Sequence, residues 1–248
     1  MTTDVIQDLI VSAFNSQINN LYTAIPCIVV SVRDGSTVDI QPTINQKFKD
    51  GTIKERTVIL GVPISFPVSN TGGMTFPINP GDTGTAIFSM RNMDGWKGGN
   101  GRPASPMNFA KMDKGDAIFI PGIQPPGVSV NSVGKHVLTH DTKDTVMFSN
   151  VGGSEAEVRI KADGNIEINT SNKDVIINCA NATVNASESI NLNAETMTVD
   201  VPNTLWIGKI VQQGDYTQTG TYILNTININ LHKHTGVTVG TGTSGTMI

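Results

Sequence analysis

Val5, Leu9, Ile10, Phe14, Ile18 and Leu21 recur at three- and four-residue spacing near the start of the chain. That period puts them on one side of a helix, so the pattern predicts a helix over residues 4–22 with a single apolar face. Thr3 or Asp4 is available to cap its first turn. A helix this short needs something to pack on, either its own domain or a neighbouring molecule. Residues 25–130 then change to a period of two. The stretch CIVVSVRDGSTVDIQP alternates on both sides of Asp34-Gly35, a hairpin signal. RTVILGVPISFP reads as a strand ending in proline, and FPINPGDTGTAIFSM as a turn at Pro80-Gly81-Asp82 followed by a strand with Ala86 and Phe88 on one face. GDAIFIPGIQPP adds a last short strand and a proline stop. Residues 91–106 hold too many Gly and Pro for a regular element and read as a long loop carrying an exposed aromatic, Trp96. About five strands without an internal repeat suit a small closed barrel.

From about residue 133 the pattern becomes periodic on a longer scale. Apolar pairs recur at Val158/Ile160, Ile166/Ile168, Val175/Ile177, Ala182/Val184, Ile190/Leu192, Met197/Val199 and Leu205/Ile207, in steps of seven to nine residues. Within a pair the spacing of two puts both side chains on one face of a strand. Between pairs lie turn formers such as Gly164-Asn165, Ser171-Asn172, Ser187-Glu188 and Pro202-Asn203. A fixed repeat of strand and corner signals a solenoid. Each strand buries only two or three side chains, so a lone strand row makes a thin core. Two arrangements satisfy this pattern. One chain coils on itself, or three chains wind together and each supplies one side of every layer. In the second arrangement no strand needs to double back, because its partners lie on the other chains.

Composition narrows the class. Gly, Asn, Thr, Ser, Val and Ile dominate and strong helix formers are scarce, which favours strands and turns. Of 248 residues only 15% are charged, and the net charge is −4. Residues 1–130 hold 10 Lys+Arg and 10 Asp+Glu, whereas residues 131–248 hold 7 and 11, so the acidity belongs to the second half. Such a chain lacks the basic footprint of a nucleic-acid binder. The Gly-rich loop at 91–106 has no GxxxxGK[ST] pattern, which argues against phosphate binding. Cys27 and Cys179 both sit in apolar, strand-like contexts and read as two separate buried thiols. The first residues carry acids where a secretory signal needs bases, so no signal peptide is expected. No apolar run approaches the roughly 20 residues needed to cross a bilayer as a helix.

The candidate chemistry lies near the C-terminus, in LHKH. His232 and His234 point to the same side of an extended strand, with Lys233 opposite. Two imidazoles are half a metal site at most, and no Cys, Asp or Glu adjoins them. The other histidines, His136 and His140, lie about a hundred residues earlier, at the opposite end of the repeat. Around a threefold axis, however, three copies of His-x-His supply six nitrogens in two layers of three. That octahedron suits iron(II) or nickel(II) better than tetrahedral zinc. The plainer alternative is a pair of surface histidines on a strand.

Taken together, the eight-residue acidic repeat, the His232-Lys233-His234 motif followed by Thr-Gly-Val, and the segments PINPGDTGTAIFSMRNMDGW and PMNFAKMDKGDAIFIPG resemble the central spike of contractile-tailed bacteriophages. The resemblance is to the short gp138-type membrane-puncturing spikes that lack a lysozyme domain, and it runs over essentially the whole chain. It implies a mainly β protein with the following division: an N-terminal helix over 1–24, an OB-fold domain over 25–130, an intertwined triple-stranded β-helix over 131–208 and an apex over 209–248. It further implies a homotrimer with His232 and His234 of each chain holding one iron, Fe(II) ahead of nickel or zinc, at the tip. The N-terminal domain would join baseplate hub proteins, and the host outer membrane would be the mechanical target. The protein would be made in the host cytoplasm and sit at the tail baseplate tip of the virion. No catalysis and no nucleic-acid partner are expected.

The competing enzymatic reading is a β-helical tailspike that binds or cleaves polysaccharide, which needs paired carboxylates. Glu155, Glu157, Asp163, Glu167, Asp174, Glu188, Glu195 and Asp200 occur singly in the repeat, at positions that read as outward-facing or as corners. A solvated acidic face accounts for them.

Overall fold

A computed structural model describes residues 3–19, 21–132, 134–229 and 231. The chain divides into two units, Met1–Cys179 and Ala180–Ile248.

The first unit opens with helix α1, Thr3–Asn19. The predicted helix ran on to residue 22. It stops earlier because the Leu21 amide bonds the Ile18 carbonyl at 3.1 Å in a tight turn and the Tyr22 amide goes to the Met112 carbonyl at 3.0 Å. Val5, Leu9, Ile10, Phe14 and Ile18 are all exposed, so the apolar face of α1 is not covered by its own chain.

Five strands follow that build a curled sheet: β1 (Ala24–Arg33), β2 (Thr37–Pro42), β5 (Ile59–Pro63), β6 (Thr83–Phe88) and β7 (Ala117–Pro121). Two-residue strands β3 (Gln46–Lys47) and β4 (Ile53–Lys54) form a small side hairpin between β2 and β5. The order across the sheet is β5-β2-β1-β6-β7. Its two edges meet where Ile64, just past β5, forms a parallel bridge with Phe119 of β7. That circuit of antiparallel neighbours with one parallel closure is compatible with the OB-like barrel expected from the sequence.

The predicted turns close where they were placed. Asp34 and Gly35 both take positive φ, 51° and 65°, between β1 and β2. At the next turn Gly81 has φ 98°, and the Asp82 carboxylate accepts the Asn79 amide at 2.7 Å. A bulge between Val29 and Ser31 turns Val30 outward and keeps Cys27 and Val29 in the core. Around them lie Val38, Ile40, Ile59, Val62, Ala86, Ala117 and Phe119, with Phe88 packed against this cluster.

One acid is built into the barrel wall. The Asp39 carboxylate accepts from Ser31 Oγ at 2.6 Å, from Arg33 Nη2 at 2.7 Å and from the Gly61 amide at 2.8 Å. It thereby ties β1, β2 and β5 together, and these donors hold its pKa at about 2.

Beyond the barrel, β8 (Thr145–Ser149), β9 (Ala156–Ile160) and β10 (Ile166–Thr170) form a three-stranded antiparallel meander. The period left open whether one chain coils on itself or three wind together, and the resemblance implied the intertwined form, in which repeat strands pair with other chains. The first two repeats pair within the chain: Ile168 lies opposite Val158, and Ile166 opposite Ile160. The reason is the Asp163-Gly164-Asn165 turn. Gly164 takes φ 91°, and the Lys161 amide bonds the Asn165 carbonyl at 2.8 Å.

Residues 171–222, by contrast, enter no strand ladder within the chain. In the second unit the described strands are β11 (Ile223–Leu224) and β12 (Ile227–Asn228), paired across Asn225 and Thr226.

Candidate functional site

His232 and His234, the predicted metal ligands, lie outside the described residues. The site that the described residues present is therefore one of surfaces, and it has three parts.

The first is the loop over 91–112. It contains one helical turn, α2 (Asp94–Lys97), in a stretch the Gly and Pro content predicted to be irregular. The loop is held from below by Asp116, a fully buried carboxylate. Its Oδ1 accepts the Met93 amide at 2.7 Å and Asn92 Nδ2 at 3.3 Å. Asn92 Oδ1 in turn accepts the Met107 amide at 3.1 Å, and Lys97 Nζ donates to the Gly115 carbonyl at 2.6 Å. So anchored, the loop displays Trp96, Met107 and Phe109, the last 98% exposed. Trp96, singled out from the sequence, is half in and half out of solvent at 45%.

The second part is a polar cluster before the repeat, which the sequence reading missed. His136 and His140 stack face to face with centroids 3.9 Å apart, and both rings meet Phe148 edge-on. The Glu155 carboxylate is completely buried. It accepts from His136 Nδ1, from the Val137 amide at 2.6 Å and from the Leu138 amide at 3.0 Å. Burial alone would raise the Glu155 pKa. The Leu138 amide, the His136 ring and the Val137 amide together outweigh burial and lower it. His140 Nε2 faces Asn131 Oδ1 at 3.1 Å. The nearest sequence signal was the four-residue spacing of the two histidines. The carboxylate that His136 bonds, Glu155, lies nineteen residues beyond it, where no local pattern reaches.

This cluster corrects one expectation. Glu155 and Glu157 read as outward-facing acids of a solvated face, but both are buried. Glu155 is saturated by three donors, and Glu157 pairs with Arg159 at 2.7 Å. A buried carboxylate must be paired in this way, and neither is open to a sugar.

The third part is the repeat itself. Every residue from 172 to 227 is exposed. All members of the seven apolar pairs are exposed, with Ile207 reaching 91%. Cys179 is exposed as well, against the expectation of two buried thiols. Were this segment an extended strand, period-two spacing would put Cys179 on the side of Val175 and Ile177. Cys27 is buried as expected, and burial pushes its thiol up to about 11.

Comparison with known families now adds to this geometry. Residues 25–122, from the start of β1 to the end of β7, match the family model of the phage protein Gp138 N-terminal domain. Over these residues the chain is similar to the phage Gp138 N-terminal domain. The Gp138 domain coincides with the curled sheet, and its last segment includes the residue 77–122 region that carried the resemblance in the sequence. The resemblance to a gp138-type phage protein is thus borne out over the domain, which spans under half of the chain. No curated protein matches the chain. Among the described residues no helix is long and apolar enough to cross a membrane.

Proposed function

We propose that this chain is the structural, cell-puncturing spike of a contractile phage tail, acting as a homotrimer without catalysis. The observation that carries the reading is the run from 172 to 227, exposed at every residue yet repeating apolar pairs every eight or so positions, on a chain whose Gp138 domain marks it as phage-derived. Full burial of one Val, Leu or Ile contributes about 1.5–3 kcal/mol, and a whole domain is stable by about 5–15 kcal/mol. Leaving even a handful of these pairs in water forgoes as much as a domain's total stability. Two further copies, each supplying one side of every layer, cover the pairs as an intertwined β-helix.

The Gp138 domain, with α1 and the Asp116-anchored loop, is the end that joins hub proteins of the baseplate. Sheath contraction drives the repeat into the host outer membrane. Stiffness then comes from strands hydrogen-bonded between chains, and sharpness from three strands converging.

At the converging end, His232 and His234 of three chains offer six neutral imidazoles, a donor set suited to one octahedral Fe(II). Metal affinity adds directly to folding energy, and it acts where strand pairing runs out. An antibody against residues 25–122 should label purified tails at the baseplate end. Label on the head or along the sheath would overturn the assignment.

A further inference from the structure

Each imidazole of the His136–His140 stack has one nitrogen committed and one left over. His136 Nδ1 meets the Glu155 carboxylate, and His140 Nε2 meets Asn131 Oδ1 at 3.1 Å. Both partners are oxygens that accept, so the proton of each neutral ring sits on its committed nitrogen. The second nitrogens, His136 Nε2 and His140 Nδ1, are buried without a hydrogen-bond partner. A second proton on either ring is therefore a buried donor with no acceptor. The two rings differ in what offsets the added charge. Glu155 is a carboxylate against His136, whereas Asn131 is neutral. The other charged groups of the flanking elements are already used or face solvent. Glu157 pairs with Arg159, the Asp144 carboxylate takes the Ala162 amide, and the Asp141 carboxylate takes the Lys143 amide. Lys135 and Lys143 are exposed cations. Phe148 presents only a ring edge to both histidines.

We propose that this stack is an acid-opened latch. With His140 neutral it fastens residues 134–140, in the stretch that joins the barrel to the β8–β10 sheet, onto that sheet through Glu155. A proton on His140 releases them. Two charged imidazoles stacked at 3.9 Å repel each other, and the closed form has an offset for only one of them. The released form has water for both. It binds more protons than the closed form, so the equilibrium moves toward release as pH falls. An imidazole ordinarily changes charge between about pH 5 and 8, which sets the window to search. Glu155 stays ionised there: burial raises its pKa, but the Leu138 amide, the His136 ring and the Val137 amide outweigh burial and lower it. Every contact lies within one chain, so the latch needs neither the trimer nor the metal.

Hydrogen exchange on the full-length chain reads the latch, because the Val137 and Leu138 amides both donate to Glu155. Their protection, corrected for the intrinsic pH dependence of exchange, is compared at about pH 7.5 and about pH 5.5. In the wild type it should fall about tenfold or more across that interval. In His140→Phe, which keeps a flat ring in the stack but takes up no proton, it should change by less than about twofold. Asn131→Asp keeps both imidazoles and sets a carboxylate against His140 Nε2, so it too should hold its protection at the lower pH. Should His140→Phe already be unprotected at the higher pH, Asn131→Asp decides alone. Constant protection in the wild type overturns the latch, and so does a loss equal to the wild type's in either variant that starts out protected.

Discussion

Gly84 lies directly under the ring of Phe119. A Cβ at residue 84 would overlap that ring and come within 2.5 Å of the Ile120 carbonyl oxygen. Phe119 is fully buried and sits where the two edges of the sheet meet. Neither the backbone of β7 nor the ring has room to give. Gly84→Ala should therefore destabilise the barrel by about 1–3 kcal/mol, the usual cost of overpacking. Denaturant unfolding followed by the fluorescence of Trp96 would read this, with wild-type stability as the contrary result.

Acid should loosen the barrel at Asp39. Hydrogen bonds from Ser31, then Arg33 and the Gly61 amide, lower its pKa to about 2. A carboxylate depressed on folding adds stability above its unfolded pKa of about 3.9, and that stability is lost as pH falls toward 2. Thermal unfolding measured between pH 5 and pH 2 should show this loss in the wild type. Asp39→Asn should be less stable at pH 7 and flatter across the same window. Parallel curves for the two proteins would count against the triple contact.

Glu155 should behave in the same sense at the other cluster. Its pKa is lowered although burial opposes this, because the Leu138 amide, His136 and the Val137 amide all favour the charged form. Glu155→Ala would leave a buried imidazole and two amides without their acceptor, a loss of about 1–3 kcal/mol for each group stranded. Hydrogen exchange at the Val137 and Leu138 amides should accelerate in the variant, and unchanged protection would refute the contact.

The two thiols separate the single chain from the assembly. Cys27 is buried, with its pKa raised to about 11, and should be silent to thiol reagents at pH 8 in any folded form. Cys179 is exposed in the single chain, and once its segment runs as a strand in the trimer, period-two spacing puts it on the face of Val175 and Ile177. In the intertwined trimer it should be silent too, and both should react only on unfolding. Rapid labelling of Cys179 in a sample of trimeric mass would contradict burial of that face.

His232→Ala combined with His234→Ala should leave the oligomer assembled but free of iron, with the C-terminal end more open to proteases. Metal content measured beside native mass decides this. Full occupancy in the double variant would place the metal elsewhere.

Much of the barrel was legible because its turns have a chemistry of their own. Asp34-Gly35 and Pro80-Gly81-Asp82 stand where backbone φ must turn positive or a side chain must bond its own loop, and the strands between them alternate. Buried acids were not legible. Asp116 is read by Met93 and Asn92, over twenty residues away, and Glu155 by His136, nineteen away. Hydrophobic periodicity marks an acid as outward, and only the fold supplies the donors that reverse this. The repeat was legible in period but not in partner. Its spacing states that a face must be covered, and the exposed run from 172 to 227 bears that demand without meeting it within one chain.

The central claim is that three chains share one core and one metal. Native mass determined together with iron content on the same full-length sample tests it most directly. The account predicts three chains per particle and one iron per three chains. A monodisperse single chain, or a trimer holding no transition metal after purification without chelators, would contradict it.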